Sequence, residues 1–301
     1  MNYLITGGTG CIGQALIKQL HTHNVNITVL SRNIEKAQMQ LNSKVIIIRK
    51  LTLDSIENAD IVINLAGEPI ADKRWSQSQK DLICNSRWSI TQDIVNLIKQ
   101  ATKKPKLFIS GSAIGIYGRQ SVAQINDNFT DYNKEFTNTV CENWELIAEK
   151  ANSPFTRVAL LRTGIVLSKN HGALAKMLPP FKLGLGGKIG SGNQVMSWIH
   201  VEDMVNAILY IIENEQLRGP INMTAQNPVS NTEFTRHLSK TLNRPCIFTT
   251  PTLLLKLIFG EMSELLTYGQ NVYPEKLLAS GFNFKYTNVD SALNALIKAP
   301  S

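Results

Sequence analysis

The feature that most constrains the fold of this chain lies near its start, in Tyr3-Leu4-Ile5-Thr6-Gly7-Gly8-Thr9-Gly10-Cys11-Ile12-Gly13. A short apolar run, glycines at 7, 10 and 13, and the helical spacing of Ala15, Leu16, Ile17 and Leu20 describe a strand that turns sharply into a helix. Gly7 can take a backbone angle closed to other residues, Gly10 lets the main chain approach a diphosphate, and Gly13 lets the helix pack closely on the strand. The free N–H groups and positive dipole end of the helix then face an anion. The same glycines also fit a tight turn that holds nothing, so the rest of the chain has to decide.

The next strands point the same way. Asn26-Ile27-Thr28-Val29-Leu30 reads as a second strand that ends in Ser31-Arg32-Asn33. In a dinucleotide fold this position meets the adenosine ribose, where an acidic residue binds the 2′-hydroxyl of NAD and an arginine accommodates the 2′-phosphate of NADP. Arg32 therefore argues for NADP(H), with a solvated surface arginine as the alternative. A helix over about 33–41 leads to Val45-Ile46-Ile47-Ile48, a continuous apolar run of the kind expected for a buried parallel strand. Asp54 follows, either near the adenine or as a loop cap. Asp60 to Gly67 gives another strand, in which Leu65, Ala66 and Gly67 let the backbone lie against the cofactor.

Helical spacing from about Gln77 to Lys99 precedes Lys106-Leu107-Phe108-Ile109-Ser110-Gly111-Ser112-Ala113, a strand that ends in two hydroxyls. Four strands separated by helical segments make an α/β, Rossmann-type, doubly wound parallel sheet the simplest topology. Ligands of such sheets bind outside the carboxyl ends of the strands. Gly7, Arg32, Ala66 and Ser112 all fall at such ends.

A polar loop over about 118–136, a helix of roughly 138–151 carrying Cys141, Trp144 and Glu145, and a strand Thr156–Arg162 complete this half. Pro179-Pro180 and the glycines at 184, 186, 187, 190 and 192 then read as a long flexible segment, either a loop over a bound ligand with Lys188 meeting an anion or a plain surface loop. The expected division is a cofactor-binding domain at 1–165, with sheet elements also from about 195–225, and a smaller mixed α/β substrate region at 166–301. The latter includes a tail module at about 250–298.

Composition narrows the classes. The net charge of +8 comes from dispersed Lys and Arg with no basic run interleaved with aromatics, so an anionic small molecule accounts for it and a nucleic-acid partner is not expected. The four cysteines show neither disulfide nor metal spacing, and no metal is expected. Without a long apolar run, and with a strand starting at residue 2, the reading is a cytoplasmic protein with no membrane segment.

Thr6-Gly7-x-x-Gly10-x-x-Gly13, Ser110-x-Ser112 followed by Tyr117-Gly118, and Trp198-Ile199-His200-Val201-Glu202-Asp203 resemble an extended short-chain dehydrogenase/reductase. Asn64 to Ile70, Ser110 to Gly115, Val140-Cys141-x-x-Trp144-Glu145 and Ser197 to His200 are similar to its atypical branch of nucleoside-diphosphate-sugar epimerases, the YfcH-like proteins. Pro274-Glu275-Lys276-Leu277-Leu278-x-x-Gly281-Phe282-x-Phe284 looks like the C-terminal module of that branch. The resemblance implies a cofactor set of Thr6, Gly7, Gly10, Cys11, Ile12, Gly13, Arg32, Leu65, Ala66, Gly67 and Ser110. It also implies a small-molecule substrate and a homodimer.

Chemistry in the broad superfamily rests on a Tyr that moves a proton, a Lys four residues later that lowers its pKa, a Ser that holds the substrate oxygen, and an upstream Asn. Ser112 matches the serine, but typical spacing sets Thr137 in the Tyr place and Cys141 in the Lys place, a shifted alignment sets Cys141 and Glu145 there, and neither gives Tyr-x-x-x-Lys; Arg87 stands where the Asn is expected. Cys141 would serve as a thiol acid/base if a cation such as Arg87 lowers its pKa, and is otherwise an inert packed cysteine. Tyr117 either reaches a substrate oxygen or binds and packs. His200 would titrate near neutral pH, and with Arg87 and Lys188 is a candidate for substrate contact. Two functions follow as expectations: an NADP(H)-dependent reductase or epimerase of a sugar- or nucleotide-like substrate, or a catalytically silent NADP(H)-sensing protein that acts through a partner. A serine hydrolase using Ser112 is a poor third reading, because the G-x-S-x-G elbow is lacking.

Overall fold

The computed structural model describes residues 1–41, 44–121 and 123–298; Asn42, Ser43, Val122 of the polar loop and residues 299–301 of the C-terminal region lie outside the described residues. Seven strands form the central sheet: β1 (Asn2–Thr6), β2 (Asn26–Leu30), β3 (Ile46–Ile48), β4 (Ile61–Asn64), β5 (Leu107–Ala113), β6 (Arg157–Thr163) and β7 (Gly219–Met223). All neighbours pair in parallel. Their order is β3-β2-β1-β4-β5-β6-β7, so the chain winds outward through β3, returns to the centre at β4 and winds outward the other way. This is the expected doubly wound Rossmann-type sheet, and the reversal between β1 and β4 opens a crevice at the carboxyl ends.

Side chains alternate between the two faces along each strand, and both faces are covered. On one face, Ile5, Ile63, Ile109, Leu161 and Ile221 pack under α1 (Cys11–Leu20) and a later helix, Val201–Glu213. On the other, Leu4, Val62, Phe108, Val158 and Leu160 meet Ile94, Val95 and Ile98 of the long helix Gln77–Gln100 and Ala148 of Phe136–Glu149. A third core, holding Leu174, Leu178, Phe181, Trp198, Phe234 and Leu293, belongs to the C-terminal half.

Two expectations are corrected here. The Val45–Ile48 run is parallel as expected but not fully buried: among the described residues β3 is the sheet edge, and Ile46 is 60% exposed. The segment around Pro179-Pro180 is not wholly irregular. The helix Gly172–Lys182 runs through both prolines, and Gly187–Ile189 forms a short strand with Phe248–Thr250. The prolines forfeit two amide donors near the helix end, while Leu174, Leu178 and Phe181 bury the helix face in the third core. Within the polar loop, Gln124–Ile125 pairs with Asn271–Val272 and ties the tail module to the sheet domain.

Candidate functional site

The opening turn has the geometry its glycines suggest. Gly7 has φ +70°, and a Cβ there would lie 2.5 Å from the Leu65 carbonyl carbon. Its carbonyl accepts from Gly10 N at 3.0 Å, which closes the turn. A Cβ on Gly13 would come within 2.7 Å of Gly8 Cα, so the helix sits directly on the turn. Gly10, the N-cap of α1, is different: a Cβ there would meet only Gly7 O, at 3.2 Å. A Cβ at Gly10 would therefore crowd one backbone oxygen only, no side chain among the described residues caps the first-turn N–H groups of α1, and the cradle fits a diphosphate. Cys11 and Ile12 begin the helix; burial raises the Cys11 thiol pKa, against a smaller lowering by its hydrogen bond to Ser168.

Beneath the turn a buried chain of bonds fixes neighbouring elements. Thr6 donates to Asn64 Oδ1 at 2.6 Å, and Asn64 Nδ2 donates to Thr91 Oγ1 at 2.8 Å. Thr91 also accepts from Trp144 Nε1 at 2.9 Å and donates to the Arg87 carbonyl at 2.6 Å. The exits of β1 and β4 are thus locked to the two helices Gln77–Gln100 and Phe136–Glu149. Leu65 and Ala66 leave β4 half-buried beside Gly7, and Gly67 is exposed.

At the ends of β2 and β3 a cavity of about 460 Å³ is lined by Arg32, Arg49 and Lys50, faced by Asp93 and Asn96 of the helix Gln77–Gln100, with Leu30, Leu51, Ile90 and Leu97 as its apolar part. None of the three cations forms an ion pair among the described residues. Asn33 caps the next helix by accepting from Lys36 N at 2.9 Å, which fixes the backbone directly after Arg32. Arg49 and Lys50 were not singled out from sequence, because their place beside Arg32 depends on β2 pairing with β3.

The other end of the cleft holds a buried polar cluster. Ser112 donates to Glu145 Oε1 at 2.6 Å, and Arg162 grips the same carboxylate with Nε at 2.9 Å and Nη2 at 2.8 Å. Arg162 Nη1 reaches Tyr117 OH at 3.2 Å, and Tyr117 donates to Asn222 Oδ1 at 2.6 Å. Asn222 N in turn donates to Asp127 Oδ1 at 2.5 Å, and Lys276 N donates to Asp127 Oδ2 at 3.0 Å. The cluster therefore draws on the sheet, the polar loop and the tail module. Ser110 is fully buried and its hydroxyl contacts the Gly111 carbonyl at 3.3 Å.

The acid/base expectations change accordingly. Cys141 faces the turn at Gly115 together with Thr137, but burial pushes its thiol up to about 12; Glu145 adds to the rise, and Arg87 opposes it only in part. Arg87 does not activate it. Tyr117 is likewise raised to about 12 by burial, which outweighs the adjacent Arg162. His200 is not poised near neutrality: desolvation lowers it to about 4. Its Nδ1 accepts from Glu202 N at 3.1 Å as the N-cap of Val201–Glu213, and its ring lies on Tyr286 with centroids 3.8 Å apart.

Ser112, Tyr117, Glu145 and Arg162 are thus brought into one cluster, with Cys141 and Thr137 at its edge. Lys188 is not part of it; it pairs with Thr249 on the short strand, its stem beside Gly192. Arg87 stands between Gly67 and Trp144. Sequence reasoning missed Arg162, Asp127 and Asn222. The usable signal was a charged residue at the end of an otherwise apolar strand, since Arg162 closes Val158-Ala159-Leu160-Leu161.

Comparison with known proteins agrees with this architecture. Residues 3–223 match the NAD dependent epimerase/dehydratase family, and residues 250–296 match a domain of unknown function, DUF1731. The chain is 37% identical to epimerase family protein SH2119 of Staphylococcus haemolyticus, over 99% of each. It is 38% identical to the chloroplastic epimerase family protein SDR39U1 homolog of Arabidopsis thaliana, over 99% of this chain and 87% of that one. The structure of human epimerase family protein SDR39U1 (isoform 2) with NADPH superposes at a TM-score of 0.89 with 28% identity, covering 100% of both chains. With the glycine cradle, the doubly wound sheet and the rewritten proton-transfer positions in place, the chain belongs to the NAD dependent epimerase/dehydratase family, as an atypical extended short-chain dehydrogenase/reductase.

Proposed function

We propose that this chain binds NADP(H) across the carboxyl ends of β1, β2 and β4 and acts as a reductase or epimerase on a sugar- or nucleotide-like substrate. The observation that carries the reading is the basic cavity of Arg32, Arg49 and Lys50, one strand away from the open cradle at Gly10. Three cations without an ion pair among the described residues, against the single carboxylate of Asp93 in the same cavity, favour a 2′-phosphate, and β2 does not end in an acidic side chain that would bind a 2′-hydroxyl. In this reading Thr6, Gly7, Gly10, Cys11, Ile12 and Gly13 hold the diphosphate, Leu65, Ala66 and Gly67 line the approach from β4, and Ser110 backs it from β5. The likeness to the human protein solved with NADPH supports the same cofactor.

When bound, nicotinamide supplies the hydride chemistry, and the protein supplies position and polarity. Ser112 and its carboxylate partner Glu145 hold a proton between them at the substrate end of the cleft. Residues 1–165, with elements from about 195–225, form the cofactor side, and 166–301 form the substrate side. A homodimer belongs to the same reading, and light scattering tests it. For the cofactor, calorimetry with NADPH and NADH on wild type and Arg32→Ala is decisive. The variant should lose roughly 1–3 kcal/mol of NADPH affinity, the scale of a charge-assisted contact, and almost none for NADH. Equal losses for both would overturn the assignment.

A second reading, a silent NADP(H)-binding protein that signals through a protein partner, is favoured by one specific observation. On either alignment, Thr137 with Cys141 or Cys141 with Glu145, the Tyr and Lys pair is missing, and burial raises Tyr117 and Cys141 to about 12. Hydride transfer from bound NADPH to any member of a carbonyl and nucleotide-sugar panel, lost in Ser112→Ala, would exclude it. Cofactor-dependent capture of a partner without such turnover would favour it over the enzyme.

A further inference from the structure

Arg87 is a cation with a prepared seat and no ion-pair partner among the described residues. Its guanidinium lies flat over Gly67, where an added Cβ would meet Cζ at 2.9 Å, Nη2 at 3.0 Å and Nε at 3.2 Å. Nη1 donates to the Ile83 carbonyl at 2.9 Å, and the Trp144 ring stands 5.3 Å from Cζ. Helix, strand exit and aromatic ring therefore fix the plane of the group. A side chain at 67 would push the guanidinium out of this position.

What the seat lacks is an acceptor. Among the described residues no carboxylate forms an ion pair with Arg87, and its Nε and Nη2 donate no hydrogen bond. Glu68 is near enough to favour the charge through space, but its place in the backbone is set by Glu68 N donating to Ser86 Oγ at 2.9 Å. Burial acts against the charge and lowers the Arg87 pKa. A half-buried, immobilised guanidinium with free donors carries a desolvation cost that an oxyanion partner removes, and its planar fork matches a carboxylate or phosphoryl group.

We propose that Arg87 is an anion clamp for the substrate: its free Nε and Nη2 donors bind a carboxylate or phosphoryl group at the open edge of the guanidinium that Gly67 and Trp144 hold in place. This rests on the reading that the substrate lies in the cleft at the ends of β4 and β5. It narrows the substrate from a polar sugar- or nucleotide-like molecule to one carrying an anionic group near its reacting end. The superfamily asparagine at this position cannot do the same, since a neutral amide offers two donors and no charge.

The test is phenylglyoxal modification of Arg87 in the NADPH-loaded full chain, followed by peptide mass spectrometry at constant ionic strength. The added probes are malonate, D-glucuronate, inorganic phosphate and, as the neutral counterpart, D-glucose. Malonate or glucuronate, or else phosphate, should slow modification of Arg87 while glucose does not, and the class that protects separates carboxylate from phosphoryl recognition. By calorimetry, affinity for the protecting anion should fall at least about tenfold in Arg87→Gln and less in Arg87→Lys, the scale of losing a charge-assisted contact. No protection by any anion, equal protection by glucose, or an Arg87 that never reacts in the folded protein would overturn the proposal. Protection only in cofactor-free protein would also overturn it, by assigning the group to the cofactor's own phosphates. NADPH binding is followed separately by its fluorescence, so failure of the cofactor reading is distinguishable from failure of the clamp.

Discussion

Replacing Glu145 by Gln tests the buried cluster most directly. Glu145 and Arg162 are 9% and 3% exposed, and the guanidinium meets the carboxylate in a two-point fork at 2.9 and 2.8 Å. An exposed pair of this kind contributes about 0–1 kcal/mol, but removing one member of a buried pair costs roughly 3–5 kcal/mol because the other charge stays buried without its partner. Gln keeps the volume, yet turns an N–H group toward one of the Arg162 donors and withdraws the charge that accepts from Ser112. Tyr117 OH and Tyr132 OH, at 3.2 and 3.0 Å from Arg162, are neutral and compensate only in part. At about 2–4 °C per kcal/mol for a chain of this size, Glu145→Gln should lower Tm by roughly 6–20 °C in a thermal melt. Replacing both partners, as Glu145→Leu with Arg162→Met, should recover most of that loss, since the desolvation cost disappears with the charges. A drop below about 2 °C in the single variant would mean that the pair behaves as a solvent-screened one, and the account of the cluster would fail.

Other expectations follow from the same geometry. His200 is held neutral, its pKa lowered from 6.5 to about 4, so below about pH 6.5 the unfolded chain binds a proton that the folded one refuses. This contribution to stability is complete above about pH 6.5 and is lost as pH falls toward 4, by roughly 2–5 kcal/mol at about 1.4 kcal/mol per unit. Denaturation of wild type and His200→Asn, which keeps an acceptor for Glu202 N, should show a shallower acid loss in the variant; parallel curves would refute it. Cys141 should resist iodoacetamide at pH 8 in the native protein and react only on unfolding, and fast native labelling would restore the reactive-thiol reading. Gly13→Ala forces a Cβ to within 2.7 Å of Gly8 Cα, and should cost roughly 1–3 kcal/mol of stability together with NADPH affinity; an unchanged affinity in a folded variant would show that the cradle tolerates displacement.

Much of the fold was legible in the chain because its signals are local. The helix expected from about Gln77 to Lys99 spans Gln77–Gln100, and the one expected at roughly 138–151 spans Phe136–Glu149. Their apolar spacing and the prolines at 105 and 154 are short-range facts. The exposure of β3 was not legible, since Ile46-Ile47-Ile48 reads the same at a sheet centre or edge. The helix through Pro179 and Pro180 was hidden for a related reason: its stability comes from a distant core and overrides the local cost of proline.

By itself the sequence determined the glycine turn, the run of alternating strands and helices, the arginine after β2 and the loss of the Tyr and Lys pair, each written in neighbouring residues. Tertiary structure decided the rest, because burial and charge pairing are properties of what surrounds a side chain. Only the folded sheet sets Arg49 and Lys50 beside Arg32, commits Ser112 and Arg162 to Glu145, raises Cys141 and Tyr117 still further above neutrality, and seats Arg87 over Gly67 without an ion-pair partner among the described residues.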